Sequence, residues 1–158
     1  MQPRSTFEDY TLGERLVSPG RTITEADIVN FAMITGDWHP IHVDKEYARN
    51  SPFGERIAHG MLTMSLGGSL CMWMGPNVFA PESFIAFLAM DEIRMLAPTL
   101  IGDTIHWEGE VAGLDAKSKG RGVITYACRI KNQRAEICAS YVQKILVGRK
   151  NTDDGEQS

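Results

Sequence analysis

Cysteine is scarce in this chain of 158 residues, and the three cysteines that occur form no CxxC pair. Cys71, Cys128 and Cys138 lie inside apolar stretches of the sequence. This pattern does not indicate a disulfide framework of the kind that holds small secreted domains together. We expect three reduced thiols in the core of a cytoplasmic protein.

An excess of positive charge is also missing. Sixteen Lys and Arg residues stand against 20 Asp and Glu residues, which gives a formal charge of −4 at pH 7. The field of such a chain gives no reason to expect a nucleic-acid partner. An anionic ligand would have to be held by a few local cations and by backbone N–H groups, which suits a small molecule.

The chain has no long uninterrupted hydrophobic run. Its most apolar segment, 57–74, is interrupted by several glycines and by His59, Thr63, Ser65 and Ser69. It therefore predicts a buried helix rather than a membrane span. Residues 1–6 lack the apolar stretch of a secretory signal, and we expect neither export nor membrane association.

What the sequence does contain is the composition of one globular domain. Hydrophobic residues make up 43% of the chain and charged residues 23%. A chain of this length fits a single core, which we assign to residues 1–148. Residues 149–158 have too little apolar surface to order themselves, and they predict a disordered tail.

Helices are predicted first along the chain and strands afterwards. Helical patterns cover 24–35, where Thr24 and Asp27 match a capping box, then 45–48, and then the wholly apolar segment 60–74. Alternating patterns predict strands over 14–18, 84–96, 103–114, 121–131 and 136–147. Short polar connections between the last four strands favour an antiparallel meander. The order predicts an α+β fold in which a curved antiparallel sheet wraps the apolar helix.

The most informative segment reads Gly36-Asp37-Trp38-His39-Pro40-Ile41-His42. Asp37 and His42 are five residues apart, which sets them about 140° apart on a helix and on opposite faces of a strand. Their side chains can meet only across a turn. Gly36 tolerates the left-handed conformation that ends a helix, and Pro40 restricts His39 before it, so the sequence predicts this turn.

Three motifs in order extend this observation. They are Gly36-Asp37-Trp38-His39-Pro40-Ile41-His42-Val43-Asp44, then Ile57-Ala58-His59-Gly60-Met61-Leu62, then Leu96-Ala97-Pro98 with Gly102-Asp103-Thr104. From about Phe7 to Val147 the chain resembles the MaoC-like dehydratases, also called (R)-specific enoyl-CoA hydratases. The resemblance implies a hotdog fold, in which a long antiparallel sheet wraps a central helix, and the pairing of two such units into a homodimer.

The resemblance also implies an activity. These enzymes are hydro-lyases that add water reversibly across the 2,3 double bond of an enoyl-CoA thioester and give a (R)-3-hydroxyacyl product. The family's Asp and His fall on Asp37 and His42, and its oxyanion-binding N–H falls on Gly60. No cofactor is implied beyond the coenzyme A of the acyl-CoA substrate.

The chemistry suits these residue types. A neutral imidazole can act as a base near neutral pH, while a carboxylate can hold a water and pass a proton. The N-terminus of a helix at Gly60 would favour the negative charge that develops on a thioester oxygen. Whether Asp37 or His42 protonates the α carbon stays open.

Two positions depart from the family pattern. The usual Asn between the Asp and the Pro is His39 here, and Trp38 precedes it. A helix Ser that orients the Asp in some members falls on Gly68, which leaves Ser65 or Ser69 as alternatives. The residue that orients Asp37 is therefore open.

Five further residues are candidates for substrate contact: Trp38, His39, His59, Met61 and Leu62. Structural interpretations stand beside them, since His39 can make a structural hydrogen bond, His59 can cap the next helix, and Met61 and Leu62 can be core. The group of Asp37, His39, His42 and His59 contains metal-ligand types, but its spacing matches no established site, and we expect no metal.

Two other functions fit the same residues. A carboxylate and an oxyanion hole could hydrolyse a thioester, as in hotdog acyl-CoA thioesterases. A non-catalytic module that binds acyl-CoA or an acyl carrier would also keep the pocket. In each case the phosphates of coenzyme A would need cations, for which Lys45, Arg56 and Arg94 are the candidates.

Overall fold

The structure is a computed structural model, and it describes residues 2–150. Its helices are α1 (Glu25–Thr35), α2 (Pro40–Val43), α3 (Lys45–Arg49) and α4 (Gly60–Ser69), with 3-10 turns at Phe7–Asp9 and Leu70–Met74. Its strands are β1 (Arg15–Val17), β2 (Arg21–Thr22), β3 (Phe84–Met95), β4 (Thr104–Lys117), β5 (Arg121–Lys131) and β6 (Ile137–Gly148). The predicted α+β order is confirmed.

The first helix forms where its caps predict it. The Thr24 side chain accepts a hydrogen bond from the Asp27 N–H, and the Asp27 carboxylate accepts one from the Thr24 N–H. This capping box satisfies donors that the first helical turn leaves free. Gly36 ends α1 with φ 76°, in the left-handed region that favours glycine.

Helix α4 lies against the apolar face of the sheet. Its buried residues include Leu62, Met64 and Gly67. A Cβ on Gly67 would come within 2.7 Å of Ile130 on β5, so the glycine permits a close approach of helix and sheet. The predicted helix extends to Met74, and its last turn is 3-10 rather than α.

Strands β4, β5 and β6 alternate between a core face and an outer face, whereas β3 is exposed or only partly buried along its whole length. Trp107, Tyr126, Tyr141 and Ile145 point toward α4, and Trp107 donates its indole N–H to the Tyr141 hydroxyl over 2.9 Å. All strand pairs are antiparallel, and the order across the sheet is β1-β4-β5-β6-β3, with β2 also on β4.

The predicted meander is wrong for one connection, because β3 pairs with β6 and not with β4. The free edge of β4 is occupied by β1 and β2. The segment after β3 instead passes the start of α4, where the Ala58 N–H donates to the Thr99 carbonyl over 2.8 Å. Residues 96–103 therefore carry the chain from one edge of the sheet toward the other, past the helix.

The end of the last strand coincides with the predicted domain boundary at residue 148. Beyond it, Arg149 and Lys150 each donate a hydrogen bond to the Glu8 carboxylate. Residues 151–158 lie outside the described residues, so the predicted disorder of the tail stays a prediction. Within residues 2–150, no helix has both the length and the hydropathy needed to span a membrane.

Candidate active site

The turn between α1 and α2 joins the two sequence-predicted catalytic residues. Gly36 ends α1, Asp37 follows it, and His39 begins α2 by accepting the Ile41 N–H at its Nδ1 over 3.2 Å. Pro40 occupies the first helical position, where the missing N–H costs no hydrogen bond. The chain therefore reverses within a few residues and brings His42 back toward Asp37.

Asp37, His42 and His59 form one cluster. A carboxylate oxygen of Asp37 and one ring nitrogen from each histidine all lie within 4.8 Å of one another. Two hydrogen bonds of about 2.8 Å that meet at a tetrahedral water span about 4.6 Å. One water can therefore contact both Asp37 and His42.

The environment of His42 selects the tautomer that a base needs. Its Nδ1 lies 2.8 Å from the Ile57 carbonyl, which can only accept, so Nδ1 carries the hydrogen and Nε2 keeps its lone pair. Burial lowers the pKa of His42 below the usual 6.5, and the nearby imidazoles act in the same direction. The Ile57 carbonyl and the Asp37 carboxylate oppose this shift. His42 is therefore neutral at pH 7.

His59 connects the two catalytic candidates. Its Nε2 donates to the Asp37 backbone carbonyl over 3.0 Å, and its ring stacks on His42 with centroids 3.8 Å apart. The side chain is buried and packs against Phe31. It makes no capping hydrogen bond to α4, although His59 stands at the N-cap position. Its role is thus to hold the Asp37 turn and the His42 ring together.

Gly60 and His42 line the same cavity of about 330 Å³. As the first residue of α4, Gly60 has an N–H with no acceptor inside the helix, at the end where the helix dipole is positive. A Cβ at this position would come within 3.2 Å of Met95. The cavity therefore combines a neutral imidazole with a backbone donor suited to a developing oxyanion.

The other predicted contact residues are distributed unevenly. Trp38 is half exposed in the turn, and the His39 ring lies 6.2 Å from His42, where it also caps α2. Met61 is exposed on the outer side of α4. Leu62 belongs to the hydrophobic core and lines neither the cavity of His42 nor a second cavity of about 700 Å³ along α4, so its side chain serves packing.

Neither alternative serine orients Asp37 within the chain. Ser65 donates to the Met61 carbonyl and Ser69 to the Leu66 carbonyl, both inside their own helical turns. Asp37 Oδ1 instead accepts the His39 N–H over 3.2 Å. The turn itself therefore fixes this carboxylate.

Sequence reasoning assigned no role to the wall of the cavity that follows β3. This wall is formed by Met95, Leu96, Ala97, Pro98, Thr99 and, from β6, Cys138. The motif Leu96-Ala97-Pro98 was a signal for it, but only the contact between residues 96–103 and the start of α4 explains why it reaches the site. Burial raises the pKa of the Cys138 thiol, which therefore stays protonated.

The same three side chains could in principle bind a cation. Asp37, His42 and His59 are grouped as metal ligands are, but His42 Nδ1 and His59 Nε2 are committed as donors to carbonyls. One nitrogen on each ring and the carboxylate are left as ligand atoms. This set equally serves a bound water, and the cavity shared with Gly60 favours acid–base use.

Of the three cations predicted from sequence for coenzyme A, Lys45 is the first residue of α3, and the two arginines differ in their surroundings. Arg56 donates twice to the Glu25 carboxylate at 3.0 Å, so it is already paired. Arg94 lies on β3, beside a separate depression that also contains Glu92 and Arg129. Neither lines the cavity of His42 and Gly60.

The chain is similar in sequence to several known proteins. A family model described as a MaoC like domain matches residues 8–133. The (R)-specific enoyl-CoA hydratase of Rhodospirillum rubrum is 35% identical over 113 residues, which cover 72% of this chain and 74% of that protein. Protein MaoC of Klebsiella aerogenes is 41% identical over 102 residues, or 65% of this chain but only 29% of that protein.

Solved structures share the fold of this chain. A protein described as a monoamine oxidase regulatory protein from Archaeoglobus fulgidus superposes with a TM-score of 0.85 at 34% identity, covering 95% of this chain and 98% of that one. A Mycobacterium tuberculosis protein described as having a double hotdog fold superposes with a TM-score of 0.72 at 16% identity, covering 98% of this chain and 47% of that one. The latter supports the hotdog fold alone.

Proposed function

Because this chain belongs to the MaoC-like dehydratase family, we propose that it is an (R)-specific enoyl-CoA hydratase, which in reverse is a 3-hydroxyacyl-CoA dehydratase. The observation that carries the proposal is the cavity lined by both His42 and Gly60, with Asp37 beside His42. A base and an oxyanion donor on one cavity are what water addition to a conjugated thioester requires.

The proposed reaction uses three groups of this chain. Asp37 and His42 hold one water, and His42 Nε2 takes its proton as the oxygen adds to the β carbon. The Gly60 N–H donates to the thioester oxygen while negative charge develops there. The proton taken up by His42 then reaches the α carbon, either directly from His42 or by way of Asp37. No cofactor takes part beyond the coenzyme A of the substrate.

The acyl chain needs an apolar volume next to this cavity. A larger cavity of about 700 Å³ lies along the same helix, lined by Met64, Gly68, Met90 and Ile145 among others. Gly60 lines the smaller cavity, and Met64, on the same face of α4 one turn further along, lines the larger one. We assign the acyl chain to the larger cavity.

A homodimer is part of the proposal. Strand β3 lies at one edge of the sheet and exposes a row of large apolar side chains: Phe84, Ile85, Phe87, Leu88, Ile93 and Met95. A long apolar edge strand of this kind pairs readily with another chain. The buried free thiols support a cytoplasmic location.

Two other functions compete with hydration. A thioesterase would use the same carboxylate and oxyanion donor but would break the thioester bond and release a thiol. A binding module would hold the thioester without turnover. The approach of Asp37 and His42 favours an enzyme over a binding module, because a module that only holds the thioester needs no acid–base pair. Hydration and hydrolysis both use such a pair, and they are distinguished by whether thiol is released.

Hydration is tested with trans-2-butenoyl-CoA, by following the loss of its conjugated absorbance and any release of thiol. We expect absorbance loss without thiol. Asp37→Asn and His42→Ala should each lower kcat by about 10² to 10⁴. His106→Ala, on the outer part of β4, is the matched control and should keep its rate.

Each result has a distinct meaning. Thiol release would replace hydration with thioester hydrolysis. Full activity in both Asp37→Asn and His42→Ala would remove the proposed acid–base pair. Binding of the substrate without any turnover by the unmodified protein would support the binding module.

A further inference from the structure

Gln143 is a polar side chain on the core face of the sheet. Along β6 it lies between Tyr141 and Ile145, which both point toward α4, and its side chain is only 5% exposed. Its Oε1 has no hydrogen-bond partner among residues 2–150. The neighbouring polar groups on this face are satisfied, since Tyr141 accepts from Trp107 and Tyr126 donates to the Phe79 carbonyl. A buried amide without a partner costs stability, so the exception calls for a ligand.

The Gln143 side chain lines the cavity of about 700 Å³. The walls are largely apolar, with Met64, Met72, Phe84, Phe87, Met90 and Ile145. Ser65 and Ser69 also border it, but their hydroxyls already donate within α4. The amide of Gln143 is therefore the buried polar group in this cavity that is left to recognise a ligand.

Both cavities lie between α4 and β3. Gly60 and Met95 line the cavity of His42, whereas Gly68 and Met90 line the larger one. Gly68 is about 12 Å along the helix axis from Gly60, at 1.5 Å per residue. An acyl chain whose thioester lies at the Gly60 N–H and that runs along α4 thus brings its distal carbons to Gln143.

The charge of the cavity restricts what that distant part can be. Glu82 is its one ionisable acid, and no Lys or Arg lines it in the described part of the chain. A terminal carboxylate would meet a like charge and no cation, which disfavours dicarboxylic substrates. A neutral hydroxyl avoids this penalty, and an amide can both accept from it and donate to it.

We propose that the substrate of this site carries a neutral hydroxyl on the acyl chain, remote from the thioester, and that Gln143 binds it. This inference rests on the proposed function, because it assumes that the thioester lies at Gly60. It makes Gln143 a specificity-determining residue. A fully apolar chain would bury the amide without a partner, so the site would discriminate against it.

The test compares saturated acyl-CoA thioesters, which bind but cannot be hydrated. Pairs of equal length from hexanoyl-CoA to dodecanoyl-CoA, with and without an ω-hydroxyl, are titrated calorimetrically into the unmodified protein. At the length that reaches Gln143 we expect the hydroxylated member to bind about tenfold more tightly. In Gln143→Leu the preference should reverse in favour of the unsubstituted chain.

A second variant separates a loss of hydroxyl binding from a folding defect. Gln143→Met keeps the length of the side chain and removes its polar end, and it should lose the hydroxyl preference as Gln143→Leu does. Equal affinities within every pair in the unmodified protein would overturn the inference, as would a preference that persists in both variants. Hydration of trans-2-butenoyl-CoA by the unmodified protein is measured separately, so failure of the proposed function is recognised independently.

Discussion

At the scale of single residues, the site depends on keeping His42 neutral. Burial is the largest cause of its lowered pKa, and His59 and His39 lower it further because a second positive charge nearby is unfavourable. A base works only when it is unprotonated, so activity should fall as the pH falls through the His42 pKa. That acid limb is expected below pH 6.5, the usual value.

Replacement of His39 tests this electrostatic effect. In His39→Asn the positive charge that His39 can carry is removed, so the pKa of His42 should rise and the acid limb of kcat/KM should move to higher pH. NMR titration of the His42 ring measures the same shift directly. His106→Asn, whose ring contacts Glu108 rather than the site, should leave both values unchanged. A downward shift in His39→Asn would contradict this assignment.

At the scale of elements, the distance between α4 and the sheet is set by a glycine. The backbone of Gly67 lies so close to Ile130 that a Cβ would approach three of its side-chain atoms at 2.7 to 2.9 Å. One residue later on the same helix, Gly68 faces the Tyr141 hydroxyl, where a Cβ would lie at 3.2 Å. The two neighbouring glycines therefore differ in how much room they have.

Alanine at these two positions should affect stability to different degrees. Gly67→Ala should lower the free energy of unfolding by about 1–3 kcal/mol, because the added methyl overpacks the helix–sheet contact. Gly68→Ala should stay within about 1 kcal/mol of the unmodified protein, since a small movement of Tyr141 is offset by better helix propensity. Urea unfolding measures both. Equal losses of unfolding free energy in the two variants would contradict this prediction, because they would show that Ile130 moves aside as easily as Tyr141.

At the scale of the whole molecule, the exposed edge at β3 is where we propose that a second chain pairs. We expect sedimentation to give a mass twice the 17.5 kDa of one chain. Leu88→Asp should weaken association by at least about tenfold, because an edge charge opposes strand pairing. Leu12→Asp, at an even more exposed leucine away from β3, is the control. A monomeric unmodified protein would exclude the homodimer.

Much of this molecule was predictable because its signals are local. The Thr24 capping box, the Gly36 turn and the alternation of the long strands each depend on neighbours in sequence, and the structure confirms them. The convergence of Asp37 and His42 was predictable for the same reason. Signals between residues that are close in sequence can be recognised from one sequence alone.

The remaining features depend on contacts between distant segments. Nothing near β3 indicates that it pairs with β6, because strand partners are chosen by the whole sheet. The His59 bond to the Asp37 carbonyl and the isolation of Gln143 likewise appear only when α4 lies on the sheet. For Leu62 the sequence could not tell a core leucine from a ligand contact, since both are apolar.

The pairing of β3 with β6 also has a consequence for synthesis of the chain. Phe84 lies opposite Val147, so β3 cannot join the sheet until nearly all the described residues have left the ribosome. Until then β3, whose residues line both cavities, lacks the strand with which it pairs. Contacts so distant in sequence form slowly, and an apolar strand is exposed meanwhile. The nascent protein thus completes the walls of both cavities only after β6 has emerged, and its apolar edge strand needs a partner or a chaperone until then.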